Sequence, residues 1–240
     1  MHNKYLSYDE ERAPKVRAMF SRLAERYDLV NDVMSFGMHR RWKRQTAALA
    51  AESRPSRWLD LCCGTGDIAF LARQAQPAAA VVGLDFTLPM LRVARERGRR
   101  EAAAIGWIEG DALRLPFADG AFDVVTVGYG LRNLADPEAG LAEMRRVLAP
   151  GGRAVVLDFG KPSGRVAGAL YQAFLYTMMP AVGWVFHGDP QTYLYIPESL
   201  KRYPAQRGVL ELMRRVGFAQ ARYEERLLGT MGINIGEAPL

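Results

Sequence analysis

The 240-residue chain has only two cysteines, and they are neighbours, Cys62 and Cys63. Adjacent side chains in a strand point to opposite faces, so this pair cannot share a metal ion, and there is no disulfide framework to staple the fold. A reducing, cytoplasmic compartment fits that cysteine usage. Histidine is scarce too. His2, His39 and His187 have no ligand spacing to one another or to the cysteines, so no metal is expected. The first 20 residues, MHNKYLSYDEERAPKVRAMF, lack the apolar centre of a secretory signal. Linkers, internal repeats and low-complexity stretches are missing as well. One domain is therefore expected over 1–240, with a helical cap over 1–52, a ligand-binding core over 53–160 and a closing segment over 161–240.

What is present begins with charge. A net charge of +6 favours anionic partners such as nucleic acid, a lipid surface or an acidic small molecule. The dense basic runs, HRRWKR at 39–44 and RVARERGRR at 92–100, read as solvated helix faces. Neither carries the interleaved aromatics of a single-strand platform, so nucleic acid is not the expected partner. From Val166 to Phe186 no residue is charged, a length that matches a bilayer span. Gly168, Gln172, Thr177, Pro180 and Gly183 interrupt it, and soluble-looking sequence flanks it. It reads as a buried helix or an apolar lid over a greasy ligand, with Tyr171, Phe174, Met178 and Trp184 as candidate contacts.

Periodicity supplies the architecture. Residues 15–52 read as helical, with Val16, Met19, Phe20 and Leu23 on one face. RWLDL, AVVGLD, GWIEG, FDVVTVG and GRAVVLDFG are then short strand-like runs separated by amphipathic stretches, the pattern of a parallel sheet between helices. A helix around 206–216 leads to FAQARYEERL and LGTMGINIG, which suit an antiparallel hairpin at the sheet edge.

In such a sheet ligands bind at the carboxyl ends of the strands. WLDLCCGTGD is a strand ending in a glycine turn. Gly64 and Gly66 there remove the Cβ atoms that would obstruct a ligand. Asp85 ends the second strand, where a carboxylate accepts hydrogen bonds from ribose hydroxyls. The turn lacks the third glycine of a dinucleotide fingerprint. Asp67 also stands where a phosphate would meet the helix N-terminus. Asp60 and Asp67 suit a cofactor with a cationic end instead, an ammonium or a sulfonium. Asp111, in GDALRLPF, is placed to meet an adenine amine, with Leu113 and Pro116 as apolar neighbours. An NAD(P)-dependent oxidoreductase on a similar sheet, and a basic nucleic-acid binder using the sheet as scaffold, are the competing classes. Stabilisation by NADH, or a salt-steep affinity for RNA or DNA, would mark them.

LDLCCGTGD, GLDF, EGDALRLPFADGAFDVVT and RVLAPGGRAVVLDF together resemble the class I S-adenosylmethionine-dependent methyltransferases. FSRLAERYDLVNDVMSFGMHRRWK, GYGLRNLADPEAGLAEMRRVLAPGG, LDFGKP and YLYIPESLKRYPAQRGVLELMRRVGF narrow the resemblance to the ubiquinone/menaquinone biosynthesis C-methyltransferases. The resemblance implies a Rossmann-like, mostly parallel seven-stranded sheet with helices on both faces and a C-terminal antiparallel hairpin. It implies S-adenosylmethionine as cofactor, and C-methylation of a prenylated quinol: demethylmenaquinol, with a ubiquinone-pathway benzoquinol or another lipid or small-molecule acceptor as the alternative. Thr65 in the glycine loop, Asp85 on the ribose, and Asp111 with Ala112 at the adenine are the implied cofactor contacts, beside Asp60, Gly64 and Gly66. Gly128 stands where the family often has serine, leaving only backbone. The C-terminus, GTMGINIGEAPL, lacks the family's histidine. Arg132 and Asn133, in GYGLRN, are the candidates for stabilising and aligning a quinol oxyanion, and a water or His39 for taking its proton. A peripheral membrane surface and a homodimer are the remaining candidate associations.

Overall fold

The computed structural model describes residues 12–24 and 26–240. His2 and the beginning of the opening stretch read above for a secretory signal lie outside the described residues. Helices α1 (Arg12–Leu23), α2 (Tyr27–Ser35) and α3 (Met38–Ala51) precede β1 (Arg57–Leu61), α4 (Asp67–Ala75), β2 (Ala80–Asp85), α5 (Leu88–Arg100) and β3 (Ile105–Glu109). Then come β4 (Phe122–Gly128), α6 (Pro137–Val147), β5 (Leu148–Phe159), α7 (Arg165–His187), α8 (Gln191–Arg202), α9 (Ala205–Arg215), β6 (Gln220–Arg226) and β7 (Met231–Glu237).

The sheet order is β3-β2-β1-β4-β5-β7-β6. β1 to β5 are parallel, and β7 runs antiparallel between β5 and β6. The hairpin expected at the edge thus forms with its second strand inserted beside β5. Alternate residues of each strand go to opposite faces. On one face Trp58, Val81, Val124 and Val155 pack against Trp42 and Ala50 of α3 and Ala69 of α4. On the other, Leu59, Val125 and Val156 meet Leu141 and Met144 of α6 and Val209 and Met213 of α9.

Two elements differ from the periodicity. The helical reach expected over 15–52 is broken twice, between α1 and α2 and again where α2 ends and Phe36 (φ 50°) and Gly37 (φ 73°) both turn left-handed. Such a residue pair closes a helix, and Gly37 N–H returns to the Asp32 carbonyl at 2.8 Å. α8 is not visible in the sequence pattern, since Pro197 inside it disguises the helical period. It survives because tertiary packing buries Tyr193, Tyr195, Ile196 and Leu200.

The charge-free segment is the long helix α7. Among the described residues no helix is long and apolar enough to cross a membrane. Leu175, Met179 and Val182 face the core, whereas Val166, Leu170, Trp184 and Val185 are exposed.

Candidate active site

Two cavities open where the strands end. The first, about 80 Å³, is walled by Gly64, Asp85, Asp111, Ala112 and Gly128, with Ala13, Val16 and Phe20 of α1 also lining it. Gly64 has φ 54°, and a Cβ added to it would stand in open space. Asp85 accepts from Gly64 N–H at 2.9 Å and from Thr87 N–H at 2.8 Å, so its carboxylate both holds the glycine loop and faces the cavity. The Thr87 side chain donates to it as well, which leaves acceptor capacity for a ligand hydroxyl. Asp111 accepts from Leu113 N–H at 2.9 Å in an Asx turn beside the same wall.

Not every expected contact is in that wall. Gly66 is not among the lining residues. Its Cβ would meet Trp107 at 2.5 Å, so glycine is needed there for helix–sheet packing rather than for ligand approach. Thr65 is buried and donates to Asp28 at 2.9 Å, a carboxylate that sequence reasoning missed. Asp60 is 1% exposed, accepting from Ala69 N–H at 3.1 Å and Thr126 Oγ1 at 2.8 Å, and burial pushes its carboxyl up to about 7. Asp67 lines neither cavity. Burial would raise its pKa, but Lys43 Nζ at 2.7 Å and the Arg97 guanidinium outweigh that and hold it well below the carboxylate range. Lys43, read in sequence as part of a solvated face, is therefore buried as its partner. At Gly128 the space a serine would use is taken by Ile68, whose Cδ1 lies 2.6 Å from an added Cβ.

The second cavity, about 380 Å³, adjoins the first through Tyr27 and Tyr129, which line both. Tyr129 sits just past β4 with φ 62°, a strained conformation for a non-glycine residue. The walls are mainly apolar, including Met34, Trp42, Phe159 and Ile196. Of the expected α7 contacts, Tyr171 and Phe174 line it. Met178 packs on the core, and Trp184 is exposed.

Arg132 and His39 are the cavity's buried ionisable side chains foreseen from sequence. Arg132 is fixed by Asp158: its N–H donates to Oδ2 at 3.0 Å and its Nη1 to Oδ1 at 3.2 Å. Its Nη2 donates to Tyr195 Oη at 3.0 Å, and its guanidinium lies 4.8 Å from the Phe159 ring centroid. Asn133 turns instead to the first cavity, its Nδ2 donating to the Tyr129 carbonyl at 3.1 Å. Among the described residues four buried side-chain polar atoms have no partner. Three of them, His39 Nδ1, Tyr129 Oη and Arg132 Nε, belong to residues of this one cavity. A buried polar atom left unpaired costs roughly 1–3 kcal/mol, and three of the four sit on residues lining this one mainly apolar chamber.

Residues 7–237 match the model of the ubiE/COQ5 methyltransferase family. The chain belongs to that family. A demethylmenaquinone methyltransferase from Thermus thermophilus is 44% identical, covering 92% of this chain and 100% of its own. A 2-phytyl-1,4-naphtoquinone methyltransferase from Nostoc punctiforme is 41% identical, covering 91% and 96%. Among solved structures, a SAM-dependent methyltransferase from Thermotoga maritima superposes with TM-score 0.61 at 17% identity, over 92% of this chain and 98% of that one. This ubiE/COQ5 family member is thus an S-adenosylmethionine-dependent methyltransferase with the class I fold. The first cavity suits that cofactor. The open side of Gly64 and the Asp85 and Asp111 carboxylates offer acceptors for ribose and adenine, and Met90, Leu113 and Leu134 offer apolar flanks.

Proposed function

We propose that the second cavity takes a prenylated quinol, demethylmenaquinol, and that the enzyme methylates a ring carbon of it. The observation that carries this reading is the three unpartnered polar atoms on residues lining a mainly apolar chamber that adjoins the cofactor cavity. A hydroquinone has two hydroxyls and an apolar remainder, which suits that lining. The names of the Thermus and Nostoc relatives support a naphthoquinone acceptor.

When bound, S-adenosylmethionine supplies a methyl group on a sulfonium. The protein's part is alignment and charge. A quinol hydroxyl has a free pKa near 10, like tyrosine, and losing its proton makes the ortho carbon nucleophilic. The Arg132 guanidinium, desolvated and immobilised by Asp158, favours the oxyanion over the neutral hydroxyl. Asp85, Asp111 and the Gly64 and Gly128 backbone are the proposed cofactor contacts, with Asp60, Thr65 and Gly66 holding the loop from behind. Asn133 shapes the backbone between the two cavities.

Phe36, Leu170, Leu227 and Leu228 line the acceptor cavity and are also exposed, so its mouth is apolar. With the net positive charge, this supports a peripheral contact with anionic lipid, from which the prenyl tail enters. The test is transfer of labelled methyl to demethylmenaquinol, a demethoxy-type benzoquinol and a tail-less naphthoquinol. Preference for the long-tailed naphthoquinol is expected. Equal rates on all three would defeat the reading.

A further inference from the structure

Arg132 stabilises an oxyanion but cannot make one, because a guanidinium has no basic lone pair at any accessible pH. The tyrosines of the cavity do not serve either. Burial pushes Tyr27 and Tyr195 up to about 12, Tyr129 well above its ordinary value, and Tyr171 and Tyr193 upward as well, so all five stay protonated at neutral pH. Asp158 is committed to Arg132 and to Phe159 N–H at 2.8 Å. Asp28 is committed to Thr65 and lines neither cavity. Among the described residues lining the acceptor cavity, one basic lone pair remains, on the His39 imidazole.

The turn between α2 and α3 builds a histidine–carboxylate pair around it. Left-handed Phe36 and Gly37 reverse the chain, and His39 N–H donates to Ser35 Oγ at 3.2 Å. This sets His39 Nε2 at 2.9 Å from Asp32 Oδ1. Asp32 is itself gripped by Arg40, whose Nε and Nη2 each lie 2.6 Å from a carboxylate oxygen, so it stays ionised and fixed. An ionised carboxylate only accepts, so Nε2 carries the proton and Nδ1 holds the lone pair. The ring is 3% exposed, and Nδ1 is buried with no protein partner.

We propose that His39, oriented by Asp32, accepts the acceptor's hydroxyl proton at Nδ1; this rests on the quinol reading above. The O–H bond breaks and an Nδ1–H bond forms, giving an imidazolium paired with Asp32. The electron pair left on oxygen is delivered through the ring to the carbon that bonds the methyl. The hydrogen displaced from that carbon leaves as a proton to water, restoring the aromatic ring. The oxygen takes back its proton from Nδ1, so His39 returns neutral and one net proton is released. Asp32 is the positioning residue and His39 the catalytic one.

His39 is poised neutral for this task. Burial lowers its pKa first and Lys43 lowers it further, against the upward pull of Asp32 and Asp67. Arg40 on its own helix, Arg132 and Tyr129 near the end of β4, Tyr27 on α2, Tyr171 on α7, and Tyr193 and Tyr195 on α8 are the other ionisable groups around the chamber. With a lowered folded pKa, the wild-type rate should hold down to below pH 6.5 and then fall as Nδ1 protonates.

The test combines two variants with a readout that needs no turnover. His39→Gln should lower kcat by roughly 10²-fold or more and abolish the acid limb, leaving a rate that climbs with pH as the quinol ionises by itself. Asp32→Asn, at a position one-third exposed, keeps a hydrogen-bond acceptor but loses the charge. Its acid limb should move down by roughly a pH unit or more, even if His39→Gln fails to fold. In nitrogen-15 NMR of histidine-labelled protein, 1-naphthol should move the His39 Nδ1 resonance from the unprotonated range as it receives a hydrogen bond. A His39→Gln rate within threefold of wild type, an acid limb unmoved in Asp32→Asn, or an Nδ1 signal indifferent to naphthol would each overturn the assignment. A wild type that methylates no quinol while naphthol still moves Nδ1 defeats the quinol reading and upholds the proton acceptor.

Discussion

Replacing Asp158 with alanine should leave a guanidinium stranded in the protein interior. Asp158 and Arg132 are each 3% exposed, and the carboxylate accepts from Arg132 N–H, Arg132 Nη1 and Phe159 N–H at 3.0, 3.2 and 2.8 Å. Without it Arg132 keeps only the Tyr129 carbonyl, the Tyr195 hydroxyl and two aromatic faces. Removing one partner of a buried ion pair costs roughly 3–5 kcal/mol, because the desolvated charge that remains has lost its compensation. For a chain of this size each kcal/mol is worth roughly 2–4 °C, so the melting temperature should fall by roughly 6–20 °C. The double variant Arg132→Met with Asp158→Ala removes both charges and should recover most of that stability. It should nevertheless turn over roughly 10²-fold or more slowly, since the oxyanion has lost its electrostatic partner. Calorimetric unfolding of the wild type, both single variants and the double variant closes the cycle. A loss below 1 kcal/mol in Asp158→Ala, or a double variant no more stable than that single one, would refute the argument.

Two further expectations follow from the cofactor side. Asp85→Ala removes a carboxylate that both ties down Gly64 and faces the cavity, a loss of roughly 2–3 kcal/mol. Calorimetric titration should show S-adenosylmethionine binding weakened by roughly 30- to 150-fold, and a change under threefold would remove Asp85 from the site. Asp60 gives a pH dependence. Its folded pKa is raised from 3.8 to about 7 by burial, so the native state holds the proton more tightly, and this stabilisation is present below pH 3.8 and lost as pH rises through 7. Urea unfolding of wild type and Asp60→Asn should therefore diverge by up to roughly 4 kcal/mol between pH 4 and 8, the wild type losing more. Parallel curves would contradict it.

Much of the sheet was legible because strand periodicity is local. RWLDL, AVVGLD and FDVVTVG became β1, β2 and β4, and the carboxyl end of each strand marks where Gly64, Asp85 and Gly128 stand. α8 was not legible, since Pro197 breaks the local signal and only burial of Tyr195 and Ile196 against the core stabilises the helix.

The sequence by itself determined the order of alternating elements, the glycine loop and the acidic strand ends, because hydrophobic period and backbone freedom are properties of neighbouring residues. Partnership between charges was decided only in three dimensions. Asp67 looked free to meet a sulfonium until Lys43 and Arg97, from two other helices, closed on it. Asp158 revealed itself as the anchor of Arg132 only when β5 lay beside β4. His39 acquired its carboxylate only when a left-handed turn folded α3 back on α2. Electrostatic energy depends on distance and burial rather than on sequence separation, so these pairings exist only in the folded chain.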